Sequence, residues 1–249
     1  MFFHRDIKGD HLPNGTVCFT YDDGPGPDTL ELGRYLFEQE IAATFFVMGK
    51  HAERDRDVLA QLQKWGHLIG NHTYSHPGLV SFALAGGDVV GEITRTDRII
   101  RPYLLSDAVF FRAPYGNWRE KVRPDSDEDK PASIVADILN HSGQFTDYVG
   151  PVNWDIVAED WDCWSQGISA EECAWRYLAE TERIGKGIIL MHDSSEEETL
   201  QQKNKTMEMT KLLVPHLKER GYRFVRLDAV PRITVSADQR CFYEASLTK

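Results

Sequence analysis

Thr16-Val17-Cys18-Phe19-Thr20-Tyr21-Asp22-Asp23-Gly24-Pro25 is an alternating run that ends in two adjacent carboxylates and a Gly-Pro turn. The alternation suits a β-strand, in which successive side chains point to opposite faces. Asp22 and Asp23 therefore face different environments. Sharing one pocket, they would repel and one would be protonated. Diverging, one can bind a cation while its neighbour handles protons.

Beyond this run, helical and strand patterns alternate. A helical pattern from Thr29 precedes the run Ala43-Thr44-Phe45-Phe46-Val47, and a second, from His51 to Trp65, precedes His67-Leu68-Ile69. A helix from Glu92 to Ile100 leads to a strand at Ala108-Val109-Phe110-Phe111, and a further strand is expected from Pro151 to Val157. A helix from Ser169 to Arg183 precedes Gly187-Ile188-Ile189-Leu190-Met191, and one from Thr206 to Lys218 precedes Tyr222-Arg223-Phe224-Val225. This order predicts an α/β domain with a largely parallel sheet or barrel. With no internal repeat or linker, all 249 residues are expected to form a single domain with its core at about 14–230.

The polar signals collect at one edge. Asp22-Asp23, His72, Arg112 and His192 each follow the carboxyl end of a predicted strand. In parallel α/β architectures, active sites assemble on that edge. His72 and His76 lie four positions apart, so a helical turn or compact loop can aim both at one ion, and Pro77 ends the element there. Alone, such a pair is more often two solvent-facing or capping histidines; with an Asp at a strand end it supplies a His2Asp set that leaves room for water and substrate. Arg112 is either a surface ion-pair partner or a permanent charge that holds Asp22 ionised and oriented, with turn N–H groups beside it for an oxyanion. His192 is either a satisfied buried histidine or a general acid, and its ordinary pKa of about 6.5 suits donation to a leaving amine.

Composition narrows the partners. A net charge of −11 argues against nucleic acid and against docking on an anionic membrane. No run approaches the roughly 20 apolar residues of a membrane span. As the sequence stands, without a secretory leader, a cytoplasmic location is expected, or a secreted or periplasmic one if a leader was removed. Cys18, Cys163, Cys173 and Cys241 form no C-x-x-C pair and are expected to be free, mostly buried thiols. Asp125-Ser126-Asp127-Glu128-Asp129 starts like a calcium loop, but Lys130 and Ala136 stand where Gly and Glu are required, so it reads as a solvated acidic loop. Glu196-Glu197-Glu198 reads as a charge cluster at a helix start.

Taken together, these residues resemble the NodB-like polysaccharide deacetylases, carbohydrate esterase family four, in order from about Thr16 to Leu227. The family's Thr-Phe-Asp-Asp-Gly-Pro is similar to Thr20-Tyr21-Asp22-Asp23-Gly24-Pro25, and its His-Ser/Thr-x-x-His-Pro to His72-Thr73-Tyr74-Ser75-His76-Pro77. Its Arg-x-Pro-Tyr matches Arg112-Ala113-Pro114-Tyr115, and its Leu-x-His matches Leu190-Met191-His192. The resemblance implies a distorted (β/α) barrel of about seven strands and removal of acetyl groups from N-acetylated, in some members O-acetylated, sugars. It makes Asp22 the general base, Asp23, His72 and His76 the metal ligands, and His192 the general acid. It has Arg112 hold Asp22 and the Tyr115 backbone N–H face the oxyanion. It also places Tyr115, Trp161 and Leu190 against substrate. The ligand set suits Zn²⁺ and admits Co²⁺, Ni²⁺, Mn²⁺ or Fe²⁺.

The fourth motif departs. Where the family has Asp-x-x-Asp-Trp, this chain has Val157-Ala158-Glu159-Asp160-Trp161, and valine accepts no hydrogen bond. Asp155 and Asp160 are the carboxylates left to support His192; Asp155 is expected to substitute in part, and the pKa of His192 to fall. Trp154 is expected in the core and Trp118 at the cleft rim. Two other readings stay open: hydrolysis of a non-sugar linear or cyclic amide, and a catalytically impaired carbohydrate-binding protein.

Overall fold

The computed structural model describes residues 2–119 and 133–230, with side chains from Asp6 onward. The strands are β1 (Phe2–Ile7), β2 (Thr16–Asp22), β3 (Thr44–Val47), β4 (Leu68–Asn71), β5 (Val109–Phe110), β6 (Tyr148–Val152), β7 (Gly187–His192) and β8 (Arg223–Phe224). All their pairings are parallel, in the orders β4-β3-β2-β7 and β1-β6-β5. Single bridges from Asn71 to Phe111 and from Ile156 to Ile189 close the two sheets into a ring. This is the distorted (β/α) barrel expected. Among the described residues, β2 to β7 form the ring; β1 adds beside β6, and β8 pairs with the first residues of β2 while β3 pairs with its last.

Alternation along the strands decides what each face does. Val17, Phe19, Tyr21, Phe45, Val47, Ile69, Ile189 and Met191 belong to the large core between barrel and helices. Their even-numbered neighbours Cys18, Phe46, Leu68, Phe110, Val152 and Ile188 form a separate cluster inside the barrel. The period of two then carries Asp22, His72, Arg112 and His192, all even-numbered, to the inner rim at the carboxyl ends. The barrel is tight: a Cβ on Gly70 would lie 2.5 Å from the Phe46 ring.

Several predicted elements shift. The helix expected from His51 to Trp65 breaks at Asp55 into Gly49–Arg54 and Arg56–Lys64. The helix expected from Glu92 starts at Val89, because Asp88 caps it through the N–H of Gly91 at 2.8 Å. The strand expected at 151–157 runs instead at Tyr148–Val152, after which the chain leaves the ladder apart from Ile156. Cys18, Cys163 and Cys173 are free and buried. Cys241 and the acidic loop at 125–129 lie outside the described residues. No helix among the described residues is long and apolar enough to cross a membrane.

Candidate active site

Asp22 is the last residue of β2 and points into the barrel; its Oδ1 accepts from Arg112 Nη1 at 2.7 Å. Arg112 is completely buried and donates in four directions: to Asp22, to Thr20 Oγ1 (2.9 Å), to Val152 O (3.1 Å) and to Asn153 O (3.2 Å). Its guanidinium also lies 4.3 Å over the Phe46 ring. A buried charge this fully paired is fixed in place, and so is the carboxylate it holds.

Asp23 turns away at φ 74°, a left-handed conformation that sends its side chain out of the strand's alternation. Its Oδ1 lies 3.4 Å from His72 Nε2 and 3.1 Å from His76 Nε2. The three ligand atoms of Asp23, His72 and His76 lie within 4.8 Å of one another, and all three residues are buried. His72 Nδ1 sits 2.8 Å from the Arg112 carbonyl, which can only accept. The proton is therefore on Nδ1, and the Nε2 lone pair faces Asp23. Asp23 Oδ1 is buried without a directed hydrogen bond. Buried oxygens of that kind carry a desolvation cost, and a divalent cation among two imidazoles and a carboxylate removes it. The residues thus fit a metal ion.

On the far side, His192 ends β7. Its Nδ1 lies 2.8 Å from Asp160 Oδ1, and its backbone N–H donates to Asp160 Oδ2 at 2.7 Å. Asp160 is fully buried and also accepts from Tyr177 (3.2 Å) and Thr206 (3.3 Å). Burial works against the imidazolium, yet Asp160, with Asp23 and Asp22 behind it, pushes the pKa of His192 up to about 9. Both expectations drawn from Val157 are corrected here. Asp155 does not support His192; it accepts from the N–H groups of Gly9 and Ile188, each at 2.8 Å, and Ile188 is four residues and about 13 Å back along β7. The pKa of His192 rises rather than falls. The cause is Glu159, whose left-handed φ of 56° turns the chain so that Asp160 opens the helix Asp160–Ser165 under the end of β7.

The aromatic residues divide. Trp161 is 42% exposed, stands edge-on to His192 with ring centres 5.3 Å apart, and lines a pocket with Asp23, His192, Trp164, Ser194, Ser195 and Leu200. Trp118 is not at the rim as expected: it is buried, and its indole N–H donates to Asp6 at 2.8 Å. Trp154 packs against the barrel-interior cluster. Leu190 is buried in β7, with its carbonyl accepting from Tyr177 at 2.7 Å. Tyr115, at φ 58°, is 61% exposed and donates its hydroxyl to Glu196, while its ring meets that of His76 edge-on at 4.6 Å. His51 was not foreseen; its Nδ1 lies 2.7 Å from the Asp23 carbonyl and braces that turn. A lone histidine in a helical pattern gives no signal of such a role.

Comparisons with known proteins fit this geometry. The family model described as polysaccharide deacetylase matches residues 9–129. A chitooligosaccharide deacetylase of Sinorhizobium fredii is 30% identical over 214 residues, covering 83% of this chain and 87% of that protein. A peptidoglycan-N-acetylglucosamine deacetylase of Bacillus cereus is 26% identical over 215 residues, covering 86% of this chain and 67% of that protein. The crystal structure of a peptidoglycan N-acetylglucosamine deacetylase superposes with a TM-score of 0.68 at 25% identity, covering 92% of both chains. The chain belongs to the polysaccharide deacetylase family, the NodB-like esterases of family four.

Proposed function

We propose that this protein removes acetyl groups from N-acetylated sugars of an oligo- or polysaccharide, and that a divalent cation, Zn²⁺ by its donor set, is held by Asp23, His72 and His76. The observation that carries the reading is the flanking of this triad by two opposed proton-handling pairs, Asp22 with Arg112 and His192 with Asp160. When bound, the cation supplies Lewis acidity and lowers the pKa of the attacking water. Asp22, with one oxygen fixed by Arg112, takes a proton from that water as the new carbon–oxygen bond forms. The Tyr115 N–H faces the developing oxyanion. His192 then protonates the sugar nitrogen as the carbon–nitrogen bond breaks, leaving acetate and a free amine. Trp161 walls the acetyl pocket, and the family motifs add Tyr115 and Leu190 on the substrate side. The Val157 departure no longer favours an impaired protein, since Asp160 supplies the carboxylate that valine cannot.

The reading is tested by stripping the protein with chelator, reloading it with Zn²⁺, and assaying acetate release from chitin oligomers, peptidoglycan and acetylated xylan. Metal-dependent acetate from an N-acetylated glycan is expected. Full activity after exhaustive chelation, or no acetate from any of the glycans, contradicts it.

A further inference from the structure

The loop between the two ligand histidines has no regular secondary structure; the carbonyls of Thr73 and Tyr74 accept from the N–H groups of Gly49 (2.8 Å) and Lys50 (3.1 Å), but its own N–H groups find no backbone partner. Thr73 and His76 sit at φ 66° and 62°, and a β-branched residue there is strained. Each N–H from Thr73 to His76 is satisfied by a side chain. Thr73 N donates to Asn71 Oδ1 (2.9 Å), and His76 N donates to Thr73 Oγ1 (3.1 Å). The two between them, Tyr74 N (3.0 Å) and Ser75 N (2.8 Å), both donate to Glu92 Oε2, and the Ser75 hydroxyl donates to Glu92 Oε1 at 2.8 Å.

Glu92 lies in the first turn of the helix Val89–Ile100, where the helix dipole favours a carboxylate. That helix grips the same motif at two other points. The Ile93 carbonyl accepts from Asn71 at 3.0 Å, and the Arg95 guanidinium lies 3.4 Å over the Tyr74 ring. The loop is thereby held from a rigid element rather than by its own conformational preference.

We infer that Glu92 is the positioning residue of the metal centre: its carboxylate binds the backbone of Tyr74 and Ser75 and so fixes the distance and angle between His72 and His76. The inference rests on the metal reading of the Asp23–His72–His76 triad. Glu92 touches neither substrate nor ion; it acts through the loop. Loss of such outer support weakens metal affinity by about tenfold to a hundredfold. Removing Glu92 leaves two N–H groups to water in a loop that prefers other conformations, so His72 and His76 spend less time converged.

The test measures Zn²⁺ affinity by competition with a chromophoric chelator, and the visible spectrum of the Co²⁺-substituted protein, in wild type and three variants. Glu92→Ala should bind Zn²⁺ at least tenfold more weakly and show an altered Co²⁺ spectrum, while its chelated form melts near the chelated wild type. Glu92→Gln, whose amide oxygen can still accept both N–H groups, should stay within about threefold of wild type. Glu92→Asp, one methylene short, should fall with Glu92→Ala and stands in for it if that variant does not fold. Wild-type affinity and spectrum in Glu92→Ala or Glu92→Asp overturn the inference while leaving the metal reading intact. A wild type that takes up no Zn²⁺ overturns both.

Discussion

Two residues of the same type, one peptide bond apart, take different partners because the backbone turns between them. Asp22 closes a strand and stays inside the barrel against Arg112, whereas Asp23 adopts φ 74° and joins His72 and His76. A similar division appears across the cleft, where His192 owes its proton to Asp160. The pKa of His192 is about 9, because Asp160, Asp23 and Asp22 outweigh a burial that opposes the charge. Since the folded value is raised above the ordinary 6.5 or so, the associated stabilisation is complete below about pH 6.5 and is lost as pH rises through 9. In the proposed mechanism the same proton serves the leaving amine, so deacetylation should fall along an upper limb as His192 deprotonates. Asp160→Asn should move that limb down by about one to two pH units, read from the pH dependence of kcat/KM. A limb unmoved in a folded Asp160→Asn variant would separate His192 from the proton transfer.

At the scale of elements, one parity rule explains the site. Even-numbered residues Cys18, Phe46, Leu68, Phe110, Val152 and Ile188 fill the barrel, and the even-numbered residues that end β2 and β7 or follow β4 and β5, namely Asp22, His192, His72 and Arg112, are polar. Phe46 couples these layers, because it packs in the interior cluster and carries the Arg112 guanidinium on its face. Phe46→Ala should cost about 3–5 kcal/mol by urea denaturation and lower kcat as Arg112 loses its wall. Much of this was legible: the alternating run into Asp22 set the parity, and the strand-end polar residues fell on one edge. The support of His192 was not, because reading 151–157 as one strand put Asp155 in register while a single left-handed residue, Glu159, delivers Asp160. Trp118 misled for a related reason. Nearness to Arg112 in sequence says nothing of depth, and the indole turns inward to Asp6.

For the whole molecule, the proposed metal site ties distant segments together: Asp23 follows β2, His72 and His76 follow β4, and the triad assembles only when the barrel closes. Cation binding is then linked to folding. At Zn²⁺ a hundredfold above its dissociation constant, the native state should gain about 2.7 kcal/mol. For a chain of this size that is a rise in Tm of about 5–10 °C, readable by scanning calorimetry with and without chelator. An unchanged Tm would mean that the ion does not bind the native fold.

In the proposed mechanism adjacent aspartates divide the roles of base and ligand. Zn²⁺ stoichiometry and acetate release, measured together in Asp22→Asn and Asp23→Asn, separate the two roles. Asp22→Asn should keep one Zn²⁺ per chain and release no acetate above background, whereas Asp23→Asn should lose the metal. Undiminished acetate release by Asp22→Asn, or full Zn²⁺ retention by Asp23→Asn, would contradict this division.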